Sequence, residues 1–248
     1  MSAPVRLTRR AVGAAARRLG RPELLAVLYP RAAQMLREEV AAPATLAAAL
    51  RDDGAFIDVG SNRGQLLREA VRVAPRGRHV AFEPIPALAE ELARAFPQVE
   101  CRRLALGARA EVTRFCHFTS LDGWSGLRRS PEISDARGRP EYIDVRVSTL
   151  DAELGDARPS VVKIDVEGAE LQVLEGGREL LERARPTVIF EHVAAAARLY
   201  DTRSESIWDL FDGLGYRVFA ITGAGPFARV PFCESADVIN WLATPAAR

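Results

Sequence analysis

Ala55-Phe-Ile-Asp-Val-Gly-Ser-Asn-Arg-Gly64 is the stretch on which the reading of this chain turns. An apolar run of strand character ends at a glycine turn, a helix is expected to open near Gly64, and a second strand, His79-Val-Ala-Phe-Glu83, closes on a carboxylate 19 residues later. Glycines let the main chain turn sharply and approach a ligand, and an acid at the end of the next strand can accept both hydroxyls of a ribose. The pattern predicts an adenosine-type ligand. A bare glycine turn between strand and helix is also common structural punctuation, so the turn alone does not decide the matter.

The spacing Asp58-x-Gly60-x-Asn62-x-Gly64 differs from the GxGxxG that seats a pyrophosphate on a helix N-terminus. S-adenosylmethionine carries adenosine and an amino acid but no phosphate. An acid ahead of the turn, facing an ammonium, suits it better than NAD.

Composition bounds the alternatives. The 248 residues are 48% hydrophobic, enough for one large α/β domain, and the net charge of +1 argues against binding nucleic acid over the whole surface. Arg6, Arg9, Arg10, Arg17, Arg18 and Arg21 make a basic, acid-free arm ahead of a mildly acidic body. Cys101, Cys116 and Cys233 are odd in number and widely spaced, which predicts neither a disulfide framework nor a zinc site and fits a reducing cytoplasm. The chain has no 18-residue apolar run and its arm lacks the apolar centre of a secretory signal, so no membrane association is expected. Lys163 is the single lysine among 34 basic side chains, a hint that an ammonium is specifically wanted there.

Residues 5–20 and 22–51 read as helical, the second stretch interrupted at Pro30 and Pro43; we take 1–53 as an N-terminal helical extension and 54–248 as the main domain. Strands are expected at 55–60, 78–83, 98–104, 160–166, 187–192, 216–221 and 236–242, with helices at 64–73, 86–95, 168–175, 178–184 and 203–213. This alternation predicts a doubly wound, Rossmann-like, mostly parallel seven-stranded sheet with helices on both faces. Residues 110–118 and 141–148 alternate as half-exposed strands around a loop at 119–140, where Trp124 offers an apolar wall for an acceptor or an anchor for the loop. Trp208 and Trp241 read as core.

The second motif is Lys163-Ile-Asp-Val-Glu-Gly-Ala-Glu170. Asp165 ends a central strand and is expected to face the cleft, with Lys163 on the same side of the strand; the pair reads equally as a structural ion pair. Together with Phe56 to Gly64, Phe82-Glu-Pro84, Ala105-Leu-Gly107 and Thr149-Leu-Asp151, this motif resembles the FkbM-type family of S-adenosylmethionine-dependent methyltransferases over roughly residues 54–243. The resemblance implies a class I methyltransferase fold and methylation of a hydroxyl on a sugar, glycoside or secondary metabolite. Carried over by position, Asp58, Gly60, Asn62 and Gly64 would lie along the methionine half, Glu83 would hold the ribose, and Ala105 would lie beside the adenine. Arg63 stands where the family usually has a small or apolar residue.

An alcohol is a weak nucleophile at neutral pH, so a base is sought near Asp165. His192 follows Glu191 at the end of the strand beginning at Thr187, and we expect Asp165, Glu191 and His192 to converge as catalytic groups; a histidine bonded to main chain is the plainer alternative. Two carboxylates and an imidazole could also hold a divalent cation such as Mg2+. A nucleic-acid methyltransferase using the basic arm and a non-catalytic cofactor-binding protein are the competing functions. The helical lead-in is expected to pair subunits in a homo-oligomer or to cap the cleft.

Overall fold

The computed structural model describes residues 30–119, 125–128 and 140–247. The basic arm and Trp124 lie outside them. Ten strands and their helices are described: α1 (Pro30–Ala49), β1 (Phe56–Val59), α2 (Gln65–Val73), β2 (Val80–Phe82), α3 (Pro86–Ala95), β3 (Glu100–Arg102), β4 (Ala105–Leu106), β5 (Glu111–His117), β6 (Glu141–Ser148), α4 (Leu150–Leu154), β7 (Val161–Ile164), α5 (Glu170–Glu175), α6 (Arg178–Ala184), β8 (Thr187–Glu191), α7 (Ala194–Ala197), α8 (Ser204–Gly213), β9 (Tyr216–Ala220), α9 (Arg229–Glu234) and β10 (Asn240–Pro245).

Seven strands form the main sheet in the order β3-β2-β1-β7-β8-β10-β9, parallel except for β10, which runs antiparallel to both its neighbours. The order reverses between β1 and β7, and ligands bind beyond the carboxyl ends of the strands at such a crossover. Period-2 alternation loads both faces of β1: Ile57 and Val59 join the core under α4 to α6 and α8, while Phe56 joins the one under α1 and α2. Phe190, Phe211, Phe232 and Trp241 pack ring to ring at the far half of the sheet.

Three expectations need correction. The strand expected at 98–104 is confined to Glu100–Arg102; a tight turn follows, with Leu104 N–H donating to the Arg102 carbonyl, and Ala105–Leu106 form β4 of a separate sheet ordered β4-β6-β5. The last strand begins four residues later than expected. The interruption expected at Pro43 does not occur: among the described residues α1 continues through Pro43, because the burial of Leu46 against Phe56 and Leu67 keeps its second half docked. No helix among the described residues is long and apolar enough to cross a membrane.

Phe190 is fully buried, with ring centroids 5.0 Å from Phe211 and 6.5 Å from Phe232. Phe190→Ala should lower the free energy of unfolding by about 3–5 kcal/mol, read from the midpoint of chemical denaturation at unchanged slope.

Candidate active site

At the β1/β7 crossover a cavity of about 770 Å³ opens on the carboxyl ends of the strands. Of the residues singled out in the sequence, Asp58, Gly60, Asn62, Glu83, Ala105, Asp165 and Glu191 line it. Gly64 and His192 do not.

The centre is Lys163. In the parallel register Asp58 lies directly opposite it, so both side chains leave the sheet on one face. The Lys163 Nζ is 3.4 Å from Asp58 Oδ1 and 3.3 Å from Asp165 Oδ2, and it donates to the Gly60 carbonyl at 3.1 Å. Burial opposes the charge on Lys163, but the two carboxylates more than offset it and hold the ammonium above its usual range. Burial also raises the Asp58 carboxyl, with Lys163 opposing. Asp58 Oδ1 is buried, with the Lys163 ammonium as its charged partner.

Gly60 has φ 76°, and a Cβ built there would lie 1.9 Å from the Asp165 carbonyl, so only glycine lets the β1 and β7 turns touch. Gly64 has a packing role. With φ 67° it leads into α2, and a Cβ would sit 2.7 Å from the Phe96 ring and 2.9 Å from Leu92. Arg63 reaches outward to Glu91 at 2.9 Å, which is how an arginine fits in this turn at the cleft rim.

Glu83 is buried, and its two oxygens accept separately from the N–H groups of Asn62 (2.8 Å) and Ile85 (2.9 Å). Burial pushes it up to about 7, against the two backbone donors. Each oxygen keeps acceptor capacity for a ribose hydroxyl. Glu170, quoted in the second motif but given no role there, is equally buried. Its Oε1 accepts from Val166 N–H (3.2 Å) and Gly168 N–H (3.0 Å), tying the turn that presents Asp165 and Glu167, while Oε2 has no partner; burial pushes it up to about 7 as well.

His192 departs from expectation. Its Nε2 is 2.8 Å from Ser204 Oγ, its ring stacks on Phe232, and burial pushes it down to about 4, so the imidazole is neutral and turned into the domain. His79 bonds the Phe56 N–H and the Ala74 carbonyl behind the sheet, and His117 lies on β5. Without His192 at the cleft, the expected cation set of Asp165, Glu191 and His192 does not assemble, and among the described residues no other three His, Cys, Asp or Glu side chains gather to hold a metal.

Thr149 and Asp151 are structural. Thr149 caps α4, and Asp151 accepts from the N–H groups of Glu179 and Leu180 at the start of α6. Sequence reasoning expected the helical lead-in to cap the cleft but named none of the α1 residues that line it, such as Met35, Leu36, Glu38 and Pro43, nor Phe115 on β5 or Asn240 on β10. A broken apolar stripe was the only signal for Met35 and Leu36.

A crossover cleft with a ribose-ready acid, a glycine contact between turns and a carboxylate-rich lining fits a cationic adenosine cofactor, S-adenosylmethionine, and repels a pyrophosphate. Fold and site define a class I methyltransferase. Residues 58–218 match the methyltransferase FkbM domain, and the chain belongs to that family of S-adenosylmethionine-dependent methyltransferases. It is 30% identical over 164 residues to the AMB antimetabolite synthetase AmbE of Pseudomonas aeruginosa, covering 51% of this chain and 8% of that protein. It is 28% identical over 153 residues to the methyltransferase sdnD of Sordaria araneosa, covering 49% and 59% respectively. A methyltransferase FkbM from Methylobacillus flagellatus KT aligns at 16% identity and a TM-score of 0.49, over 79% of this chain and 44% of that one. The chain thus spans less than two thirds of each of these proteins.

Glu83→Ala should weaken S-adenosylmethionine binding about 10- to 150-fold in titration calorimetry, the worth of charge-assisted hydrogen bonds of ~1.5–3 kcal/mol. Glu83 and Glu170 both have folded-state values above the 4.5 of an ordinary glutamate. Their contribution to stability is therefore whole below about 4.5 and is lost as pH rises through about 7. Glu170→Gln should remove its share of that decline, on the order of 2 kcal/mol between pH 5 and 8, measured as urea midpoints of the cofactor-free protein.

Proposed function

We propose that this methyltransferase acts on a hydroxyl of a sugar, glycoside or secondary metabolite. The observation that carries the reading is the pair of adjacent strand ends, β7 with Asp165 and Glu167 and β8 with Glu191, whose carboxylates line the same cavity as Asp58, Asn62 and Glu83. When bound, the cofactor supplies an electrophilic methyl group on a sulfonium. Transfer to oxygen breaks the carbon–sulfur bond, whose electron pair stays on sulfur, and forms a carbon–oxygen bond.

This chain's residues have two tasks. The first is to hold the acceptor oxygen in line with the methyl group, which alone can supply much of the acceleration. The second is to receive the hydroxyl proton. Asp165 and Glu191 are the carboxylates placed for it, with Lys163 fixing Asp165 in orientation. We assign His192 no part, since it does not line the cavity and its ring is turned to Ser204 and Phe232.

Acid-rich walls speak against a nucleic-acid substrate, whose phosphates the cleft would repel. The similarity to a segment of an antimetabolite synthetase supports a small-molecule acceptor. We place the protein in a reducing cytoplasm, to which Cys101, Cys116 and Cys233, with no disulfide among them, are suited.

Incubation with methyl-labelled S-adenosylmethionine and a panel of neutral glycosides and phenols, read by mass spectrometry, tests the reading. Label is expected on oxygen, and label found only on nitrogen or carbon would replace it. With an acceptor in hand, Glu191→Gln should slow transfer by roughly 10²–10⁴ while leaving cofactor affinity intact, and His192→Gln should leave turnover little changed.

A further inference from the structure

We infer that helix α1, which precedes the family-matched residues, is a wall of the cofactor cleft, and that Glu38 is the positioning residue that holds it there. The inference rests on the assignment of S-adenosylmethionine to this cleft.

Glu38 is 1% exposed although its neighbours Arg37, Glu39 and Val40 face solvent. Its Oε2 accepts from the backbone N–H of Asn240 and from Asn240 Nδ2, both at 2.9 Å. Its Oε1 accepts from Gln34 Nε2 at 2.9 Å and from the backbone N–H of Ile239 at 3.3 Å. Four donors converge on one carboxylate, an arrangement that only an acceptor on both oxygens satisfies fully.

The grip falls at the cleft. Asn240 opens β10 and stands beside Glu191 in the antiparallel register, so the carboxylate ties α1 to the strand next to the acceptor-side acid. From there α1 contributes Met35, Leu36 and Pro43 to the cavity lining, which Asn62 in the turn after β1 and Leu66 in α2 complete. The helix is thus fixed at two places by different physics. Leu46 buries its second half in the core, and Glu38 alone among its described side chains bonds its first half to the sheet.

Both partners of this contact, Glu38 and the Ile239–Asn240 pair, lie outside residues 58–218. The segments flanking the matched domain therefore meet and complete its cavity. An apolar wall there covers the turn assigned to the methionine half of the cofactor and keeps water from it. Loss of the tether would leave the binding-competent arrangement only partly populated, and apparent affinity falls by that fraction.

The test compares full-length wild type, Glu38→Ala, Glu38→Gln and Leu36→Ala by calorimetry with S-adenosylmethionine and by hydrogen exchange. Glu38→Ala should raise the apparent Kd about tenfold, chiefly through faster dissociation, and raise exchange over residues 33–42 while β1 and β7 stay protected. Glu38→Gln keeps one acceptor for Asn240 and should fall between. Leu36→Ala leaves the tether alone and should still weaken binding roughly threefold through lost apolar contact. A looser helix with affinity within twofold of wild type would overturn the inference. So would an affinity loss confined to Glu38→Ala and accompanied by general loss of protection, which marks a purely structural role. Failure of the wild type itself to bind S-adenosylmethionine would instead remove the cofactor assignment, and this inference with it.

Discussion

One ammonium shared between two carboxylates at the crossover of the sheet is the constraint around which this site is built. Lys163 is largely buried and has Asp58 on one side and Asp165 on the other. A buried charge persists only when paired and hydrogen-bonded, and here the Gly60 carbonyl supplies the further acceptor. The contact sets the separation of the turns after β1 and β7, and Gly60 lets them close to touching distance. Asn62, Asp165 and Glu167 inherit their positions from that closure. Replacing the lysine by arginine would keep the charge but not the geometry, because a planar fork cannot sit as a point between three oxygens. This gives a physical reason for the one lysine in a chain whose other basic residues are all arginine.

The architecture was legible where the signal was local. Alternating strand and helix patterns, the glycine turn and the acid at Glu83 place the main sheet and most of the cavity lining correctly, because each depends on residues close together in sequence. What failed depends on register and on side-chain direction. Asp58 and Lys163 are 105 residues apart, and their facing follows from the β1/β7 pairing, which periodicity does not specify. His192 sits at the expected strand end, yet its ring goes to Ser204 and Phe232, a choice made by α8 and α9 packing over it. Gly64 was read as ligand contact when its freedom serves the approach of Phe96. Glu38 gave no signal at all, since an acid in an amphipathic helix ordinarily faces water.

Three buried acids illustrate how environment divides one side-chain type into different tasks. Glu38 has four donors and acts as a tether. Glu170 has two donors on one oxygen and an orphaned second oxygen, so it fixes a turn at the cost of an unpaired atom. Glu83 has one donor on each oxygen and lines the cavity, which is the distribution a ligand-binding carboxylate needs: oriented from behind, with lone pairs left in front.

The charge of the cleft bears on the whole reaction cycle. Asp58, Glu83, Asp165, Glu167 and Glu191 line the cavity with Lys163 and Arg63, so acidic side chains outnumber basic ones on its walls. Such a site attracts a ligand bearing a sulfonium and an ammonium. After the methyl group leaves, the sulfur is neutral, and the same walls hold the by-product by one positive charge fewer. At 4 Å and an effective dielectric of 20, one such interaction is worth about 4 kcal/mol before desolvation is subtracted. Even a fraction of that makes the cleft favour the reactive cofactor relative to its spent form, so the carboxylates that would take the acceptor's proton also help clear the site for the next turnover.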